Sequence, residues 1–479
     1  MTRAICGWML AVLAAGFAAG QATGPASSST IPVLMLSDIH FDPFRDPAKF
    51  DKLAAAPVAG WEAILKSPDS ATQAASYQSL QTACGAAKGL DTSEALFDAS
   101  LKAEHANGAG IRFVTISGDL LVHQFDCRYK SLAKSEAGYS EFAEKTASYV
   151  MKRVGAEFPA AAVYFALGNN DSSCGDYALD LHDHFLGGTS KALLDGLKGA
   201  SAEEIAQAKT DYETAGYYSV SLNAPVQKTR LLVIDDMYLS LKWTTCARKA
   251  DPAAPAAVLS WLKSQLEGAA QRGEKVWVMG HIPPGINVYS TLKRGKTCEV
   301  NGAESFLAPV GKESLGDVLA AHADVISLGL FGHTHMDEMK LVPAATGGVA
   351  IKGVASISPV DGNMPSFTLA KIDPGTSQMS DYAVYVAPNK SGVGGPWTRE
   401  YGFGETYAQT TYSAATLKEI VAGFRADSGG EKKMSQFYEI YFEPLFPIPV
   451  LVLGWPQYVC GIDKMSEADF KACACGATP

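Results

Sequence analysis

Five short fragments carry most of the chemistry this sequence can offer: Asp38-Ile39-His40, Gly118-Asp119, Gly168-Asn169-Asn170-Asp171, Gly280-His281 and Gly332-His333-Thr334-His335. Each follows a short apolar run of buried-strand type: Val33 to Leu36, Ile111 to Ile116, Ala162 to Leu167, Val276 to Met279 and Val325 to Phe331. Imidazole nitrogens together with carboxylate oxygens suit zinc, iron or manganese, and one shared carboxylate can hold two such ions about 3.5–4 Å apart. A water held between them ionises near neutral pH and can attack a phosphate ester, so no nucleophilic side chain is required. Taken singly, each fragment reads as turn punctuation or a satisfied loop histidine. Five in succession, each at a strand end, read as a metal site.

The surrounding pattern predicts the elements that must position these groups. Loops at the carboxyl ends of parallel strands can bring distant residues together, and the adjoining glycines permit tight turns and close backbone approach. Helical spacing of apolar residues predicts a helix over Ser135 to Val154, and another over Ala257 to Gln271 with Val258, Trp261, Leu262 and Leu266 on one face. Ser201 and Glu204 form a capping-box pattern ahead of a helix beginning near Ala202, and Leu231 to Ile234 reads as a strand. Such alternation of strand and helix implies an α/β architecture. The stretch Ala48 to Ala103 is an unusually long excursion between the first two strands, either a lid or a helical pair packed on the sheet. Val349 to Ile351 and Phe367 to Ile372 read as strands. Gly, Pro and Ser between Gly375 and Gly395 then mark a boundary, and Tyr401 to Phe442 reads mainly as helix and loop. The expected organisation is a leader over residues 1–22, a catalytic domain over 31–375 and an accessory domain over 396–479.

A chain of 479 residues with 47% apolar composition can bury a substantial core. Its net charge of −10, with no block rich in Lys or Arg, offers no track for a nucleic-acid duplex. Arg3, the apolar run Met9 to Ala19 and the small residues Ala18, Gly20 and Ala22 read as a cleavable secretory signal, which predicts a secreted or periplasmic protein. Cys6 lies in that leader. The other eight cysteines form an even set without paired Cys-x-x-Cys knuckles, which predicts disulfides rather than a zinc knuckle. The run Ile448 to Leu453 is too short to span a bilayer, and reads as a buried docking segment or, alternatively, as a transient membrane-surface contact.

At the five fragments the chain resembles the calcineurin-like metallophosphoesterases, whose pattern is Asp-x-His, Gly-Asp, Gly-Asn-His, Gly-His and Gly-His-x-His. It further resembles their acid sphingomyelinase-like phosphodiesterase branch through Gly118 to His123, Gly280 to Gly285, Phe331 to Glu338, Tyr217 to Val220 and the late segment Cys460 to Cys475. That resemblance implies a four-layer αββα sandwich with a small, mainly helical C-terminal domain. It assigns Asp38, His40, Asp119 and His335 to one divalent metal ion and Asp119, Asn169, His281 and His333 to a second, with zinc the expected metal. The reaction it implies is cleavage of a phosphodiester (sphingomyelin-like, choline or nucleotide), as a small molecule or lipid head group, by a hydroxide bridging the two ions. His123 resembles the histidine that this branch places near the leaving group, where it can protonate the departing oxygen.

Asn170 departs from the family, which usually has His at that place. An amide cannot act as an acid, but it can hydrogen-bond a phosphoryl oxygen, which leaves His123 or water as the proton source. Endopolyphosphatases share the Gly-Asn-Asn-Asp fragment, so an endopolyphosphatase or nucleotide phosphohydrolase is the alternative, and a non-catalytic metal-containing binding protein is a third reading. A purple acid phosphatase would need a tyrosine soon after Asp119, where Leu120 to Phe125 supply none. Too few residues precede Asp38 for the saposin domain of lipid-extracting acid sphingomyelinases. By the same resemblance, disulfides are expected between Cys246 and Cys298 and between Cys460 and Cys473.

Overall fold

The computed structural model describes residues 30–85, 89–445 and 454–476. The predicted leader at 1–22 and the apolar run 448–453 lie outside the described residues. Three fully or largely buried strands, β1 (Ile31–Leu36), β2 (Phe113–Ser117) and β3 (Ala162–Ala166), pair in parallel. Their near-continuous apolar content is what a strand covered on both faces requires. The chain then builds a second sheet from β4 (Tyr218–Ser221), β5 (Thr229–Val233), β6 (Lys275–Met279), β7 (Ile326–Phe331), β8 (Glu338–Ala344) and β9 (Gly347–Gly353), in the order β4-β5-β6-β7-β9-β8. It returns to the first sheet with β10 (Ser366–Ile372), β11 (Met379–Val386) and β12 (Thr398–Gly402), giving the order β12-β11-β10-β1-β2-β3.

The two sheets face each other through fully buried aromatic side chains. Trp277 of β6 meets Phe113 of β2 edge-on with ring centroids 5.8 Å apart, and both are fully buried. At the edge of the first sheet the hydroxyl of Tyr218, on β4, accepts from Phe165 N at 2.9 Å and donates to Phe165 O at 3.0 Å, so a side chain from one sheet satisfies the free edge of the other. Helix Tyr139–Glu157 covers the first sheet and helix Ala253–Arg272 the second, which completes the four layers expected from the resemblance. The predicted capping box is present: Ser201 Oγ accepts from Glu204 N at 3.2 Å while Glu204 answers the Ser201 N–H at 3.2 Å.

The long excursion between β1 and β2 is a set of helices packed largely against helix Tyr139–Glu157. Trp61 is fully buried there and donates to Leu53 O at 3.0 Å. The first sheet continues past 375, the expected end of the catalytic domain, and β12 lies inside the expected accessory segment. Helices Ala414–Arg425, Lys433–Tyr441, Trp455–Asp463 and Glu467–Ala474 follow; the first and third pack on β8 and β9, and the last packs on the third. The cysteines pair as Cys84 with Cys127, Cys174 with Cys246, Cys298 with Cys475 and Cys460 with Cys473. The expected Cys246–Cys298 bridge is therefore corrected, because each of those two residues has another partner. Cys460–Cys473 is as expected. No helix among the described residues is long and apolar enough to cross a membrane.

Candidate metal centre

All five fragments leave the carboxyl ends of parallel strands, β1, β2, β3, β6 and β7, at one rim of the sandwich. Backbone bonds lock them together there: Asp38 N donates to Gly118 O at 3.0 Å, His40 N to Asp119 O at 2.9 Å and Gly332 N to His281 O at 2.8 Å. The first and last fragments meet directly, since His333 N donates to the Asp38 carboxylate at 3.1 Å. Aiming the side chains inward puts the backbone in the left-handed region at Asp38, His40, Asp119, His333 and His335, with φ between 47° and 69°. Each such residue costs on the order of 1–3 kcal/mol, a strain that surrounding structure must over-determine and that clusters at functional sites. The glycines are there for space. A Cβ on Gly332 would collide with Ser37 Oγ and the Asp38 carboxylate, and one on Gly168 would collide with Asp119.

All seven predicted ligand residues converge into two groups of four donors. In one, Asp38 Oδ1 lies 3.4 Å from His335 Nε2 and 3.8 Å from His40 Nε2, and His40 Nε2 lies 3.1 Å from His335 Nε2 and 3.4 Å from Asp119 Oδ2. In the other, His281 Nε2 lies 3.3 Å from Asp119 Oδ2 and 3.2 Å from Asn169 Oδ1, which is 2.9 Å from His333 Nδ1. Asp119 Oδ2 is common to both.

The tautomers decide what this cluster can hold. His40 Nδ1 donates to Leu121 O at 3.0 Å and His281 Nδ1 to Ser117 O at 2.7 Å, so the inward Nε2 atoms offer lone pairs toward carboxylate oxygens. Lone pairs facing lone pairs at these distances repel unless a cation stands among them. The protein alone shows the same demand. Burial works against a charge on His281, yet the Asp119 carboxylate raises its pKa to about 10, which draws a proton to the place a metal ion would take. Burial and then the charge of His123 lower His40 to about 3, leaving it a neutral ligand. The donor set and its geometry fit two divalent cations.

Partners that the sequence reading gave no role support these ligands. Asp171 accepts from Leu120 N, Leu121 N and Gly168 N at 2.8–3.0 Å and so ties the Asp119 loop to the Asn169 loop. Asp236, after β5, accepts from His281 N and Ile282 N at 2.9 and 3.0 Å. Asn169 donates its Nδ2 to Asp176 at 2.7 Å, which turns its oxygen inward. Asp171 and Asp236 each carry a signal already used for the ligands, a carboxylate just past a strand of the parallel set. Asp176 lies in a loop and carries none.

His123 lies beside the cluster. Its ring stacks on His40 with centroids 3.9 Å apart, and its Nδ1 lies 3.0 Å from Asp91 Oδ1. Burial disfavours its charge, but the Asp91 carboxylate outweighs that and raises its pKa to about 9. Asp91 comes from the long excursion, which thus serves the site. Asn170 faces the same centre: its backbone N–H and its Nδ2 both donate to Asp119 at 2.9 Å.

No family model matches the chain. It is similar to acid sphingomyelinase-like phosphodiesterase 3b of Homo sapiens, 24% identical over 465 residues, which cover 93% of this chain and 90% of that one. The cyclic GMP-AMP phosphodiesterase SMPDL3A of Mus musculus is 24% identical over 60% of this chain and 61% of its own. Sphingomyelin phosphodiesterase of Bos taurus is 23% identical over 47% of this chain and 34% of its own. Among solved structures, a dimetal phosphatase from Danio rerio aligns with a TM-score of 0.40 at 12% identity, covering 80% of this chain and 99% of that one.

Proposed function

The chain is a relative of the calcineurin-like metallophosphoesterases of the acid sphingomyelinase-like branch, and from that premise we propose that it is a secreted phosphodiesterase acting through two divalent metal ions, zinc foremost. The observation that carries this reading is the single carboxylate oxygen, Asp119 Oδ2, shared by two four-donor groups. Asp38, His40, Asp119 and His335 hold one ion, and Asp119, Asn169, His281 and His333 the other. When bound, the pair supplies an ionised water as nucleophile and neutralises charge on the phosphoryl oxygens. Four disulfides among the described residues favour an oxidising compartment. The helices from Phe403 onward form the accessory part, packed against the catalytic sheets.

The chain's own residues then arrange the proton. With Nδ1 committed to Asp91, His123 presents Nε2 as the donor to the departing oxygen, while its ring is kept in place against His40. Asn170 orients the shared carboxylate through its two bonds to Asp119. His123→Gln is therefore expected to lower kcat by about 10²–10³-fold for an alkoxide leaving group, the size of a general-acid contribution. The loss should be far smaller for p-nitrophenolate, which departs without a proton. Equal losses for both leaving groups would remove His123 from the role of acid.

Hydrolysis of bis-p-nitrophenyl phosphate against p-nitrophenyl phosphate, before and after chelation, tests the reading as a whole. We expect turnover that favours the diester, ceases on chelation and returns with zinc. Activity indifferent to chelation would overturn the proposal.

A further inference from the structure

Two of the four donors of the second position are oriented by one loop. Asn169 Oδ1 and His333 Nδ1 face each other at 2.9 Å, and each depends on a partner at its far end. An amide is a ligand only through its oxygen, while its nitrogen end is a donor that repels a cation. Asp176, which takes the bond from Asn169 Nδ2 at 2.7 Å, decides which end faces inward. An imidazole that binds through Nδ1 carries its proton on Nε2, and that proton needs an acceptor. His333 Nε2 has the Tyr177 hydroxyl at 3.3 Å, with the two rings edge to face. Tyr177 N also donates to Asn169 O at 2.9 Å. Adjacent residues of one loop thus address both ligands.

That loop does not hold its shape unaided. Tyr177 is buried with φ 54°, in the left-handed region that a bulky side chain adopts only where its surroundings impose it. The restraint comes from residues 244–248. Thr244 N donates to Tyr177 O at 3.0 Å, Leu179 N to Thr244 O at 3.3 Å and Arg248 Nη2 to Cys174 O at 2.9 Å. The Cys174–Cys246 disulfide closes the pair of segments covalently, across a sequence separation of 72. The first position is held otherwise. His40 Nδ1 is fixed by Leu121 O, and the Asp38 carboxylate by Ser37 Oγ and His333 N, all in the turns that leave β1, β2 and β7.

We infer that Asp176 and Tyr177, fixed by the Cys174–Cys246 bridge, are positioning residues that control loading of the second metal position and leave the first alone. This rests on the two-metal reading above and adds that the two positions are separable. With the clamp intact, Asn169 presents its oxygen and His333 a lone pair, so the second position is prepared before an ion arrives. With the clamp loosened, the amide can turn its nitrogen inward and the imidazole can keep its proton on Nδ1, and both exclude a cation. Asp38, His40, Asp119 and His335 keep the first position in either case.

Zinc bound per chain, measured against buffered free zinc, separates the two positions. The wild type is compared with Tyr177→Phe, Asp176→Ala, Asp176→Asn and the double variant Cys174→Ser with Cys246→Ser. Tyr177→Phe and Asp176→Ala should each raise the free zinc needed to fill one position by about 10–100-fold, the usual effect of removing a ligand's hydrogen-bond partner, and leave the other position unchanged. Asp176→Asn keeps an acceptor oxygen and should recover most of the loss, while the serine pair should reproduce it. In an Asn169→Ala background, where the second position has lost a ligand, the remaining ion should not respond to Tyr177→Phe. Equal weakening of both positions, or wild-type affinity in Tyr177→Phe and Asp176→Ala, would overturn the inference and leave the two-metal reading standing. A serine pair that binds both ions as the wild type does would remove the bridge from the clamp. Should the serine pair fail to fold, Tyr177→Phe, which deletes a single hydroxyl, decides. A wild type holding fewer than two ions at saturating zinc would instead remove the two-metal reading and the clamp with it.

Discussion

Asp119→Asn is expected to lower kcat/KM on bis-p-nitrophenyl phosphate by about 10⁴-fold or more, because in the proposed centre one oxygen would serve both metal positions and its charge would bind the pair. The carboxylate is buried, lies 3.4 Å from His40 Nε2 and 3.3 Å from His281 Nε2, and takes two bonds from Asn170 at 2.9 Å. Burial by itself would raise its pKa, but His281 and His40 hold it well below the usual carboxylate range. An amide in its place keeps the shape and loses the charge. The fold should survive, since the substitution also removes one of two like charges that Asp38 and Asp119 bring into the same buried space. Circular dichroism of the variant should match the wild type while turnover is lost. Activity within tenfold of the wild type would mean that Asp119 is not the shared ligand.

The second large effect concerns stability. Lys352 of β9 is fully buried and pairs with Asp337, two residues past His335. It also donates to Gly353 O at 2.6 Å and lies 4.9 Å above the ring of Tyr382 in β11. Tyr401 of β12 donates to the other oxygen of Asp337 at 2.6 Å, and Asp337 N reaches Phe442 O at 2.8 Å. One ion pair thus joins the second sheet, the far strands of the first and the C-terminal helices. Lys352→Met strands a buried carboxylate and is expected to cost about 3–5 kcal/mol. Adding Asp337→Asn should recover much of that, since the penalty lies in the unpaired charge rather than in the lost contact. Chemical unfolding of the single and double variants measures both numbers. A single variant as stable as the wild type would show that the pair is screened by solvent.

The residues of the candidate metal centre were legible because their signal is local. A buried strand needs a continuous apolar run, its end needs glycine where the backbone crowds, and the ligand follows within one or two residues, as at Gly118-Asp119 and Gly332-His333. Asp91 had no such neighbourhood: it reaches His123 because the helical excursion returns to the loop after β1, where Thr92 N donates to His40 O. The Cys246–Cys298 pairing failed for the same reason: Cys298 and its partner Cys475 are 177 residues apart, and nothing in their spacing reports that the loop after His281 lies against the last helix. The strands β11 and β12 hid behind composition. Gly, Pro and Ser between 387 and 397 form the turn that joins them, and Thr398–Gly402 is a short edge strand with little apolar content of its own.

Elemental analysis of the purified, catalytically active protein tests the central claim most directly. Two divalent ions per chain, lost on chelation together with diester hydrolysis and not retained by Asp119→Asn, is the expected result. Full turnover by protein stripped of metal would contradict the account.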